Sequence, residues 1–123
     1  MHQFDLKNRT ALITGGAQGF GLDIAQKFLK SGAKVIIWDI DHKELEKASK
    51  NISDTKLSYD VVDVSNFETV NKTVNQIIKS TNIDILINNA GITGSTAPLW
   101  DYDVKEWKKI IEINLMGTFN CCK

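Results

Sequence analysis

Along the 123 residues, short apolar runs alternate with longer stretches in which apolar residues return every three or four positions. Thr10–Thr14 (TALIT) reads as a buried strand that leads straight into Gly15-Gly16-Ala17-Gln18-Gly19-Phe20-Gly21. Beyond the glycines, Leu22, Ala25, Phe28 and Leu29 recur at helical spacing, and Gly32 supplies the stop. Lys34–Asp39 (KVIIWD) predicts a second strand, apolar through four positions and ending in an acid. Asp41 with Glu44 makes a capping box for a helix whose buried face is Leu45, Ala48 and Ile52. Lys56–Val62 is the third strand, and Ser65 with Glu68 repeats the capping signature ahead of Phe67, Val70, Val74 and Ile77. Ile83–Ile87 is the fourth strand, flowing into Asn88-Asn89-Ala90-Gly91 and then a loop of small and polar residues from Thr93 to Pro98. Asp103 with Glu106 opens a last helix.

Strands that read as continuous apolar runs, separated by helix-length segments, imply an α/β fold with a parallel sheet covered on both faces. Right-handed crossovers then give a doubly wound sheet with its ligand site at the carboxyl ends of the strands. The last helix carries two apolar faces: Val104, Trp107, Ile111, Leu115 and Cys122 on one, Ile110, Ile113 and Gly117 on the other. The sheet covers one of them. The second calls either for further chain or a partner subunit, or for a neighbouring helix of the same chain.

Composition narrows the class. Lys+Arg 15 balances Asp+Glu 15, and 42% of residues are hydrophobic, which excludes intrinsic disorder and removes the electrostatic argument for a nucleic-acid partner. The length fits one domain and leaves no room for a separate substrate domain. Met1 to Thr10 holds no apolar stretch, so no signal peptide is expected, and no run reaches the length of a membrane span. Cys121 and Cys122 are neighbours and make a disulfide framework implausible. With His2 in a tail and His42 at a helix start, no metal site is expected. These features together predict a cytoplasmic protein.

The glycine turn has a mechanism because it lies between a strand and a helix. Gly15 allows the sharp turn, while Gly19 and Gly21 let backbone N–H groups and the helix N-terminus approach a pyrophosphate. A tight turn with close helix–strand packing and no ligand is the plain alternative. Asp39 follows Gly21 by 18 residues, near the offset of ~20 for an acid that accepts hydrogen bonds from an adenosine ribose. A carboxylate there repels a 2′-phosphate, and no Lys or Arg lies between Thr14 and Gly21 to offset it. The expected cofactor is therefore NAD rather than NADP. A solvated acid at a strand end is the competing reading of Asp39.

Thr14-Gly15-x-x-x-Gly19-x-Gly21 resembles the cofactor signature of the short-chain dehydrogenase/reductase family. Asp63-Val64 resembles its acid after the third strand, Asn88-Asn89-Ala90-Gly91 its N-N-A-G segment, and Ile113-Asn114-Leu115-x-Gly117 its helix with the catalytic asparagine. The resemblance implies a Rossmann-type sheet and hydride transfer between nicotinamide and a carbinol or carbonyl carbon. It implies cofactor contacts at Thr14, Gly15, Gln18, Gly19, Phe20, Gly21, Asp39, Asp63, Val64, Asn89, Ala90 and Gly91. Asn114 takes the place of the asparagine that holds a relay water.

The family also uses a serine and a Y-x-x-x-K pair, in which the lysine lowers the tyrosine pKa. Tyr59 and Tyr102 are instead followed four positions on by Asp63 and Glu106, and both precede Asn114. Residues 1–123 are therefore expected to be the N-terminal portion of a single-domain enzyme, inactive alone and marginal or aggregating through an uncovered sheet edge and helix face. The expected substrate is a small secondary alcohol or ketone, with a sugar-derived one favoured, and the expected assembly a homo-oligomer (dimer or tetramer) through the last helix. A 3-oxoacyl-thioester reductase, a non-catalytic dinucleotide sensor and an S-adenosylmethionine methyltransferase are the rival readings. A P-loop is excluded because no G-K-[ST] follows the glycines. Trp100 and Trp107 are expected to pack in the core, with a place bordering a substrate entrance as the alternative.

Overall fold

The computed structural model describes residues 4–123; His2, read as part of a tail, lies outside them. Four parallel strands form one sheet: β1 (Thr10–Thr14), β2 (Lys34–Asp39), β3 (Leu57–Val61) and β4 (Ile85–Ile87). Their spatial order is β3-β2-β1-β4. The chain thus winds outward from β1 to β3 and then crosses back to the far side of β1. That reversal places a topological switch point between the carboxyl ends of β1 and β4.

Period-2 alternation divides the strands between two layers. Ile13, Val35, Ile37 and Leu57 face α1 (Gly19–Lys30) and α2 (His42–Ile52), where Ala25, Leu29, Leu45 and Ala48 complete one core. Leu12, Ile36 and Trp38 face the opposite side with Val62 and Val70, joined by Val74 and Ile77 of α3 (Phe67–Ile77) and by Cys121. Both faces of β1 and β2 are covered, which is why VIIW is apolar throughout and TALIT is buried throughout, its two threonines included. Buried Trp38 donates its indole N–H to Asp60 at 3.2 Å, so its polar atom is satisfied.

Three local expectations are corrected. Asn66, not Ser65, caps α3 by accepting from Thr69 N–H at 3.1 Å; Ser65 is engaged by Asp63 instead. β4 starts at Ile85 rather than Ile83, because the Asp84 carboxylate takes the Thr10 N–H at 2.9 Å in place of a ladder carbonyl. The last helix is not uniform: α4 (Val104–Ile111) passes through a π-helical turn (Glu112–Met116) into α5 (Gly117–Cys122).

The two faces of this last helix have different fates. Ile110 and Ile113 are half-buried and Gly117 is buried, while Val104, Trp107, Leu115 and Phe119 remain exposed. Trp100, expected in the core, is 84% exposed, and Trp107 is 48% exposed. Among the described residues, no helix is long and apolar enough to cross a membrane.

Candidate functional site at the switch point

The floor of the site is a hydrogen-bonded junction between the ends of β1 and β4. Buried Thr14 accepts the backbone N–H of Asn89 (3.1 Å) and of Ala90 (3.0 Å) on its hydroxyl oxygen, and donates to Ile87 O at 3.4 Å. The Asn89 amide returns the contact by donating to the carbonyls of Thr14 (3.2 Å) and Gly15 (3.1 Å). Thr14 therefore lies beneath the site as a strut and does not line the cavity above it.

Gly15 leaves this junction with φ +62°, a left-handed conformation that side chains disfavour. Gly21 is required for a different reason from the one its spacing suggested. A Cβ there would sit 2.6 Å from the Asn89 amide nitrogen and closer still to Gly15 O, so its lack of a side chain lets α1 pack onto the junction. Gly19, at φ +59°, faces open space.

The start of α1 is left free. Asp41, Asn66 and Asp103 each cap their helix with a side-chain oxygen, but Gln18 makes no such bond and no acid lies in the first turn of α1. The first-turn N–H groups and the positive end of the helix dipole consequently face outward, a ready site for an anion. Among the acids nearby, Asp39 holds the glycine loop in place: it accepts Ala17 N–H at 3.3 Å and Asp41 N–H at 3.2 Å.

These parts enclose one cleft of about 680 Å³. Gly15, Gln18 and Phe20 form its glycine-loop wall; Asp39, Ile40 and Asp41 extend from β2; Val62, Asp63 and Val64 follow β3; and Asn89, Ala90, Gly91 and Ile92 follow β4. Lys109 and Ile113 of the last helix close it. Asp63 is exposed and accepts from the backbone and hydroxyl of Ser65 at 2.9 and 2.6 Å, which fixes its carboxylate at the rim. Val64 is buried against Gly117, and Asn120 donates to Val64 O at 2.8 Å, docking α5 beneath the cleft.

Asn114 sits in the π-helical turn, one residue beyond the cleft-lining Ile113. Its amide forms a two-point pairing with the backbone of Ile92, accepting from N–H at 2.9 Å and donating to O at 2.8 Å. The following loop is clamped by Glu106, which accepts the Ser95 N–H at 2.7 Å and its hydroxyl at 2.8 Å. A π-turn widens a helix locally and recurs at functional sites; here it presents Asn114 to the segment after Gly91. Tyr59 and Tyr102 do not line the cleft: Tyr59 lies on β3 and Tyr102 stacks edge-on against Trp107 at 5.7 Å.

The sequence-predicted residues are thus gathered at one place from distant segments; the Thr14–Ala90 bond alone spans 76 positions. Thr14, Gly19, Gly21 and Asn114 border the cleft without lining it. Sequence reading missed Ile40, Asp41, Val62, Ile92, Lys109 and Ile113 as lining residues. For Ile40 a signal existed in its position, an apolar residue directly after the strand-ending Asp39, and the structure leaves it 67% exposed. For Lys109 none did, because a cation on a mixed helix face reads as solvated.

A model of the short chain dehydrogenase family matches residues 9–123. A 3alpha-hydroxysteroid dehydrogenase of Mediterraneibacter gnavus is 33% identical over 121 residues, covering 94% of this chain and 48% of its own. A 3-oxoacyl-[acyl-carrier-protein] reductase of Chlamydia muridarum is 36% identical over 121 residues, covering 95% of this chain and 48% of its own. Among solved structures, a 3-ketoacyl-(acyl-carrier-protein) reductase from Brucella melitensis complexed with NADH superposes with a TM-score of 0.90 at 31% identity, covering 96% of this chain and 48% of that one. The chain spans about half the length of the curated relatives it matches. The ordered glycine turn, N-N-A-G junction and asparagine turn, together with a family match over nearly the whole chain, place the protein in the short-chain dehydrogenase family.

Proposed function

We propose that this chain is the N-terminal, dinucleotide-binding portion of a single-domain oxidoreductase, and that it holds NAD in preference to NADP. The observation that carries the reading is the uncapped N-terminus of α1 opening beside a cleft with Asp39 at its rim. The residues fit such a cofactor: an anion can meet the first-turn amides, and the space before Gly19 is open. In this reading Gly15, Gln18, Gly19, Phe20 and Gly21 receive the pyrophosphate, with Gly21 acting through the packing that sets the loop. Asp39 accepts from the adenosine ribose hydroxyls and disfavours a 2′-phosphate. Asp63 and Val64, with Ile40 and Ile113, border the adenine. Thr14, Asn89, Ala90 and Gly91 keep the wall between adenine and nicotinamide in register.

Bound nicotinamide supplies a hydride acceptor or donor for the carbon bearing the substrate oxygen. Asn114 is the catalytic residue proposed from this chain. Its side chain is committed to Ile92, so it contributes by fixing the turn and presenting backbone groups to a relay water. The substrate class is a secondary alcohol or the matching ketone, and assembly as a homo-oligomer through the exposed face of the last helix is part of the same proposal. A 3-oxoacyl-thioester substrate is the second reading. A relative and a solved neighbour bear that name, and the neighbour is complexed with NADH.

Calorimetric titration with ADP-ribose, 2′-phospho-ADP-ribose and S-adenosylmethionine tests the proposal. ADP-ribose is expected to bind, the 2′-phosphorylated form to bind more weakly, and S-adenosylmethionine not to compete. Binding of S-adenosylmethionine without ADP-ribose contradicts it.

A further inference from the structure

The opposite end of the sheet carries a second feature that the dinucleotide reading does not use. There the starts of β1, β2 and β3 form a groove of about 480 Å³ whose charged lining residues are Lys7, Arg9, Lys34 and Lys56. Asn8 and three threonines complete its polar lining, and it contains no carboxylate, aromatic or large apolar side chain. In a chain of zero net charge, such segregation is a local excess of one sign.

The cations are placed there by backbone hydrogen bonds. Lys34 N–H donates to Arg9 O at 2.9 Å, and Val35 N–H donates to Lys56 O at 2.9 Å. Because Val35 pairs with Leu57, the register carried back one residue sets Lys34 beside Lys56, about 4.8 Å apart as parallel neighbours. Adjacent like charges on neighbouring strands repel. Lys7 joins them over Gly32, whose α-carbon side its stem covers.

The acids of the same segments are held on backbone N–H groups and not on the lysines of this row. Asp5 accepts Lys7 N–H at 3.0 Å, and Asp54 accepts Lys56 N–H at 2.8 Å. Asp84 accepts Thr10 N–H and reaches Arg9 only at 3.8 Å. Among the described residues, Lys7, Lys34 and Lys56 form no ion pair.

We propose that this groove binds an anion carrying two or more phosphate groups, at a site separate from the dinucleotide cleft. Phosphate oxygens bridging Lys34 and Lys56 convert a repulsive pair into two charge-assisted contacts. The Thr55 hydroxyl and the Asn8 amide offer further donors at the same wall. With no aromatic surface for stacking, the recognised part is the phosphate group and not a base.

The probe is tripolyphosphate, titrated calorimetrically into the 123-residue chain at low and at physiological ionic strength. Binding that weakens with salt is expected. The double variant Lys34→Gln/Lys56→Gln should weaken it by about tenfold or more. Without phosphate, the same variant should melt no lower than the parent, since it removes a repulsion. A control, Lys43→Gln/Lys47→Gln on exposed α2, should bind as the parent does. Vesicles of phosphatidylcholine with phosphatidylinositol 4,5-bisphosphate distinguish a lipid headgroup from a free oligophosphate as the source. The proposal is overturned if tripolyphosphate fails to bind, if the double variant binds it unchanged, or if a polyglutamate peptide binds the groove and tripolyphosphate does not.

Discussion

Thr14 and Asn89 are bound to each other twice, through the Asn89 backbone N–H to the threonine hydroxyl and through the asparagine side chain to the Thr14 carbonyl, and the same side chain also donates to Gly15 O. This junction closes β1 onto β4 and sets the height of the glycine loop above the sheet. Replacing Thr14 by Val keeps its volume but leaves the N–H groups of Asn89 and Ala90 without their acceptor. A loss of about 1–3 kcal/mol is expected from such unpaired buried donors. Urea unfolding of T14V checks it, and an unchanged midpoint would remove the strut role.

Gly19→Ala and Gly21→Ala should behave differently despite their shared motif. At Gly21 a methyl collides with Gly15 O and the Asn89 amide, so folding should suffer by about 1–3 kcal/mol as in overpacked cores. At Gly19 the space is open and only the left-handed backbone, φ +59°, opposes the change, at about 1–2 kcal/mol. Thermal melts compare the two, and ADP-ribose affinity should fall for G19A even where the protein remains folded.

Asp39→Asn should weaken ADP-ribose binding and narrow the gap to its 2′-phosphorylated form. Loss of a charged hydrogen-bonding partner corresponds to about 1.5–3 kcal/mol, so a change of about tenfold or more in relative affinity is expected. Competition titrations read this directly. An unchanged ratio would mean that Asp39 serves only to hold Ala17.

Ser53 ends α2 in the left-handed region at φ 48°, ψ 46°. Glycine adopts this conformation without a Cβ clash, so Ser53→Gly should stabilise the chain by about 0.5–1 kcal/mol after the greater freedom of the unfolded glycine is subtracted. A raised melting temperature is the expected outcome, far from the cleft and without effect on ligand affinity.

Burial lifts the Cys121 thiol from 9.0 to about 11, with the neighbouring Cys122 adding to the shift. The folded state therefore holds this proton after the unfolded state has released it. The contribution is fully present below pH 9 and is lost as pH rises towards 11. The stability difference between the parent and Cys121→Ala should shift in favour of the variant across that window. At lower pH, thiol reagents should label exposed Cys122 before Cys121.

Much of the architecture was legible because the chain repeats one physical pattern. TALIT and VIIW are buried on both faces, and the capping acids Asp41 and Asp103 stand where their helices begin. Asn66 took the cap from Ser65 because Asp63 already engages Ser65, a local hydrogen bond that the capping motif does not encode. Trp100 shows the limit of hydrophobicity as a guide: its short helical turn projects it outward, where nothing in the described chain covers it.

At the site, the glycine spacing and Asp39 named the cleft, but their reasons for being there were only partly readable. Gly21 answers to Asn89, which lies far along the chain, and Lys109 enters the cleft only because the last helix is held against the segment after β4 through Asn114 and Ile92. Contacts of that separation depend on the crossover and leave no trace in spacing.

The most direct test of the account is an amide-resolved NMR titration of the chain with ADP-ribose. Saturable shifts are expected at the first-turn amides of Gly19, Phe20 and Gly21, together with Asp39, Asp63 and Ala90, whether or not the groove around Lys34 and Lys56 also responds to the pyrophosphate. No shifts, or shifts confined to that groove, would contradict a dinucleotide site at the carboxyl end of the sheet.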